Sequence, residues 1–129
     1  MNALTVLDRN FPWCLEWDDN SFCGRLHEDS TWHLDEYWLL EWALFELVAS
    51  PARDAQLNWK VFRIFSSTLM SLSAHLDSKD GYKIRNLKTE QVYECRERLQ
   101  LVFEGFFSGN MPAISQCFDL PNPLLQSSG

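Results

Sequence analysis

Cys14, Cys23, His27 and His33 fall within twenty residues of one another, and each is a competent zinc ligand. Cys14 and Cys23 stand nine apart, however, and neither side carries the Cys-x-x-Cys clip that closes structural zinc sites. Chance clustering accounts for them better than a metal centre. Nucleophilic catalysis would be marked by a nucleophile elbow or a cysteine-protease signature, and neither string occurs. His75 ends an apolar run and reads as a partly buried residue bonding a late helix carbonyl rather than as a general base. Three adjacent carboxylate pairs remain as acid/base material: Asp18-Asp19, Glu28-Asp29 and Asp35-Glu36. Neighbouring residues on a helix do not face each other, and a working dyad needs burial to separate its two pKa values. Turn formation and helix N-terminal charge suit these pairs better. Glycines 24, 81, 105 and 109 are isolated and form no phosphate cradle. The reading is of a chain that is not an enzyme and holds no cofactor and no metal.

What the residues do carry is a charge distribution. The 129 residues have a formal net charge of −7. Residues 1–50 hold ten acids against two bases, a net of −8, while residues 51–129 hold eight acids against nine bases, a net of +1. Five of the six tryptophans lie in the same acidic stretch. Direct nucleic-acid binding calls for a basic stripe, which this balance opposes. The Lys79, Lys83, Arg85 and Lys88 group reads as a solvated edge or as an intramolecular partner for the acidic half. Acid and aromatic together suit a basic protein: carboxylates steer the encounter and tryptophans anchor it. Trp13, Trp17 and Trp32 lie among acids in an irregular segment and are open to that role, whereas Trp38 and Trp42 read as core. The predicted partner-binding surface comprises Asp18, Asp19, Glu28, Asp29, Asp35 and Glu36 with Trp17 and Trp32.

The elements that must position these residues are mainly α-helical. A chain of this length suits one domain, taken as 1–129 with 121–129 a frayed tail. Asp35 to Val48 predicts a helix apolar nearly all round, with Glu41 and Glu46 as its polar edge, stopped by Ser50-Pro51. Leu57 to Leu76 and Thr89 to Phe107 show the three- and four-residue apolar steps of two further helices, the last closed by Gly109. Arg98 falls off the inward stripe of the third. Before these, about thirty-four residues read as irregular aromatic-rich wrapping. Ser21 to Leu26 and Tyr82 to Arg85 predict two short strands that would pair as a small β-hairpin. The start of the chain shows no basic, then apolar, export signal, and no run reaches the ~18–20 apolar residues of a membrane span. The dispersed cysteines then read as free thiols, and the expected compartment is the cytoplasm.

Four strings carry a family resemblance: Arg9-Asn10-Phe11-Pro12-Trp13, Asp35-Glu36-Tyr37-Trp38, Trp59-Lys60-Val61-Phe62-Arg63-Ile64-Phe65-Ser66, and Gly105-Phe106-Phe107-Ser108-Gly109. Over residues 8–112 the chain resembles the small immunity proteins of bacterial polymorphic-toxin and contact-dependent growth inhibition systems. The resemblance implies a cytoplasmic, non-enzymatic protein that binds and neutralises one cognate toxin domain, often a basic nuclease. It assigns no contact residues, because interfaces in this class vary with the toxin. The other reading is a helical scaffold or regulator that self-associates through aromatic surface.

Overall fold

Asp54 starts the longest element by accepting the Leu57 N–H on its carboxylate at 2.9 Å. The computed structural model describes residues 1–125. In chain order its helices are α1 (Ala3–Arg9), α2 (Phe22–Glu28), α3 (Leu34–Leu47), α4 (Ala55–Leu76), α5 (Thr89–Ser108) and α6 (Ile114–Cys117), followed by a 3₁₀ turn at Pro123–Leu125. The protein is mainly α, and among the described residues there is no strand.

The three long helices form where apolar spacing places them. Leu57, Val61, Ile64, Thr68 and Leu72 bury one face of α4. It lies against α5, which contributes Val92, Leu99, Val102, Phe103 and Phe106. Gly109 closes α5 at φ 81°. Lys88 occupies the N-cap of α5, and its N–H donates to the Gln91 side chain at 2.8 Å.

The first thirty-four residues are more ordered than their pattern indicates, and they hold two seven-residue helices. Asn2 caps α1 by accepting the Thr5 N–H, and Ser21 caps α2 by accepting the Gly24 N–H. The expected strand at Ser21 to Leu26 is therefore helix. Phe22, Cys23 and Leu26 are buried together at helical spacing, which alternation would have split between two faces. α1 packs chiefly on α3, and α2 touches both α3 and α4.

The expected strand at Tyr82 to Arg85 is an extended connection. It still comes to the end of α2, where the Tyr82 hydroxyl donates to the Leu26 carbonyl at 3.0 Å. Asn86 replaces a strand neighbour: its amide donates to the Trp32 carbonyl, and its carbonyl accepts the Trp32 N–H. A side chain thus satisfies the backbone, and no hairpin is needed.

The interior of α3 departs from expectation at Glu41, which is fully buried rather than on a polar edge. Its partner is Arg98, also buried and not off the inward stripe. The segment after α6 is docked rather than frayed as far as it is described. Asn122 is buried and donates to the Trp38 carbonyl and to Glu41. Residues 126–129 of the expected tail lie outside the described residues. No helix among the described residues is long and apolar enough to cross a membrane.

Candidate functional site

Phe11 is buried under the loop that follows α1, and its ring meets the edges of two indoles, Trp13 at 5.3 Å and Trp59 at 6.4 Å. Those indoles stack on each other, centroids 6.0 Å apart and planes 8° from parallel. Phe62 continues the stack one turn along α4. Trp13 is 65% exposed, Trp59 46% and Phe62 50%, and Leu15, two residues on in the loop of Trp13, is fully exposed. A buried ring thus holds a rigid aromatic platform open to solvent. Large contiguous apolar surface of this kind marks an interaction site more often than a solvated face.

Charge borders the platform. The Arg63 guanidinium lies 5.1 Å over the Trp13 ring. Lys60, next to Trp59, bonds Asp8 at 2.6 Å, and that pair joins α4 to α1. The Asp8 carboxylate raises the Lys60 pKa. The Cys14 thiol donates to the same carboxylate at 3.7 Å.

Arg9 is the centre of the acidic group. It bonds Asp18 at 2.9 Å and Glu36 at 3.0 Å, acids far apart in sequence. Asp18 is held below the ordinary carboxylate range, first by the Asn20 N–H it accepts and then by Arg9. Two carboxylates on one guanidinium leave a negative excess. Asp19 and Asp35 are exposed beside them, as is Glu16 in the same loop, and none of these three has an ion-pair partner among the described residues.

The eight predicted partner-binding residues therefore divide. Asp18, Asp19, Asp35 and Glu36 gather around Arg9. Trp17 joins them: it is half-buried, and its indole N–H donates to Asp19 at 2.9 Å. It also borders a small cleft of about 140 Å³ with Pro12, His27 and Arg63. Glu28 and Asp29 lie apart, at the end of α2, where Arg85 donates to the Asp29 carbonyl. Trp32 is a correction. It is buried, packed edge-on to Phe22 at 4.8 Å and against Tyr37 at 5.3 Å, and offers no partner an exposed ring. Its place in the core follows from the aromatic cluster that α2 and α3 form, which no local pattern announces.

Trp59 and Phe62 are the residues that sequence reasoning missed as candidates. Their signal was available, because both fall off the stripe of Leu57, Val61 and Ile64 and must point outward on α4.

Three of the four thiols and two of the three imidazoles are engaged in the fold. Burial pushes the Cys23 and Cys95 thiols up to about 12, and it raises Cys14 as well. A protonated thiol is a poor nucleophile and a poor metal ligand. His33 caps α3 by accepting the Glu36 N–H, and His75 accepts the Ile84 N–H on Nδ1 at 2.8 Å. Among the described residues, no three His, Cys, Asp or Glu side chains gather closely enough to hold a metal ion. Compared with protein-family models, with curated proteins and with solved structures, the chain matches none.

Proposed function

We propose that this chain is a non-catalytic inhibitor of the immunity-protein type, which binds a basic toxin domain in the cytoplasm, that of a nuclease above all. The observation that carries this reading is the exposed Trp13–Trp59 stack, set rigidly on Phe11 near the acids gathered at Arg9. Tryptophans held in one orientation lose little entropy on binding and serve as anchors. The carboxylates gathered at Arg9, with Glu16 and Asp19 in the loop that carries Trp13, accelerate encounter with a cationic protein. The resemblance of the four sequence strings supplies the kind of partner.

Co-expression tests it. The chain is produced in bacteria with the C-terminal domain of the polymorphic toxin encoded beside it. The native chain should restore growth, and Trp13→Ala/Trp59→Ala, folded to the same extent, should not. A neighbourhood with no toxin gene, or failure of the native chain to protect, overturns the immunity reading. A native dimer that Trp13→Ala/Trp59→Ala converts to monomer would assign the platform to self-association instead.

A further inference from the structure

The outer face of α4 differs from that of its neighbour α5. Between Ala55 and Ser73 the exposed side chains are Ala55, Gln56, Trp59, Phe62, Met70 and Ser73, and none is charged. The exposed side of α5 carries Glu90, Glu94, Glu97 and Glu104, as a helix face turned to water ordinarily does. No acid occurs in that stretch of α4. Its two bases are half-buried and already engaged, Lys60 by Asp8 and Arg63 by the Trp13 ring.

Trp59, Phe62, Ser66, Met70 and Ser73 follow one another at steps of three, four, four and three, so they share one stripe. It lies opposite the buried stripe of Leu57, Val61, Ile64, Thr68 and Leu72. At about 1.5 Å per residue it runs about 21 Å, or about four turns. The Trp13–Trp59 stack is its first turn, and Met70, 69% exposed, stands about 16 Å further along the axis. Ser66 leaves a notch between Phe62 and Met70, where a partner's side chain can enter and its backbone come close. The unbranched Met70 side chain adapts to what it meets.

Charge and shape together say what covers this face. Glu16 and Asp19 are exposed in the loop that carries Trp13, and neither has an ion-pair partner among the described residues. A second copy would bring its own net charge of −7 against the first, which opposes self-association. A straight, uncharged stripe with large residues on either side of a notch suits another helix, one with apolar anchors at i, i+3, i+4 and i+7. We propose that the stripe from Trp59 to Ser73 receives an amphipathic helix of the toxin domain, with its lysines or arginines toward the loop of Glu16 and Asp19. This rests on the toxin-binding reading and carries the contact about three turns beyond the tryptophan stack.

The test uses the full-length protein and the purified C-terminal domain of the polymorphic toxin encoded beside it. Met70→Glu and Ser66→Glu/Met70→Glu add negative charge, which by itself would strengthen binding to a basic partner. With an apolar helix seated there they should weaken it, Met70→Glu several-fold and the pair about tenfold, at native melting temperature. Met70→Glu alone decides the matter if the pair melts lower. Photo-crosslinking from p-benzoylphenylalanine at position 62, 70 or 73 should mark a single toxin segment, at sites three to four and seven to eight residues apart. Native affinity in the glutamate variants, or cross-links scattered over several segments, overturns the helix proposal. Loss of binding in Trp13→Ala/Trp59→Ala would in that case leave the toxin-binding reading standing. A native chain that does not bind the toxin domain overturns both. Cross-links between two copies of this chain, in place of the toxin, would assign the stripe to self-association and overturn the proposal as well.

Discussion

Arg98 grips Glu41 with two parallel hydrogen bonds, Nε to Oε2 at 2.8 Å and Nη2 to Oε1 at 2.7 Å, across the interface of α5 and α3. Glu41 is wholly buried, and this fork and the Asn122 amide satisfy its carboxylate oxygens. The network also reaches the Leu120 carbonyl, which fastens the segment after α6 to the two helices. One buried pair thereby joins three parts of the fold that lie far apart in sequence.

Breaking either half leaves an uncompensated buried charge. Arg98→Met or Glu41→Leu should each destabilise by about 3–5 kcal/mol. The double variant should lose less than the sum of the two, since neither orphan charge remains. Urea unfolding of the four proteins measures the coupling. Simple additivity would show that the two side chains do not depend on each other.

Gly24 carries a second structural constraint. A Cβ there would stand 2.5 Å from the Asp18 carbonyl oxygen and 2.6 Å from the Asp19 carbonyl carbon. Both are backbone atoms of the turn that presents Asp18 and Asp19, so they cannot swing aside as a side chain would. Gly24→Ala should therefore destabilise by about 1–3 kcal/mol. It should also shift the amide resonances of residues 18–20, and unchanged resonances there would contradict the close packing.

His75 makes stability depend on pH. Its Nδ1 accepts the Ile84 N–H, which requires the neutral ring. Burial first, and the Lys83 ammonium second, hold its pKa below the ordinary 6.5. The unfolded chain then binds more protons than the folded one as pH falls through 6.5. This contribution to stability is complete above 6.5 and is lost on acidification down through the lower folded value. The melting temperature should fall between pH 7.5 and pH 5.5, and by less in His75→Asn. An equal fall in both proteins would remove His75 as the cause.

The long helices were legible because burial there follows local period. Expected α4 at Leu57 to Leu76 became Ala55–Leu76, and expected α5 at Thr89 to Phe107 became Thr89–Ser108. The short helices were not, because seven residues give too few turns for a period, although the caps Asn2 and Ser21 were present to be read. The acidic group was legible as composition and illegible as geometry. Nothing local says that Arg9 will take Asp18 and Glu36 together while Glu28 and Asp29 go to the Arg85 side. Glu41 and Arg98 failed for a related reason. Each is polar by type, and only their meeting across 57 residues makes burial tolerable for both.

The acidic aromatic face as a docking surface for a basic toxin domain is tested most directly by stopped-flow association with that domain over a series of salt concentrations. Glu16→Lys/Asp19→Lys/Asp35→Lys reverses three exposed acids and leaves the ion pairs of Arg9 intact. It should slow association about tenfold and flatten its salt dependence, with little change in dissociation. Trp13→Ala/Trp59→Ala should instead speed dissociation, with a loss of about 2 kcal/mol or more in affinity. Association rates of native and charge-reversed chains that coincide at every salt concentration, with affinity indifferent to both tryptophans, would contradict the account.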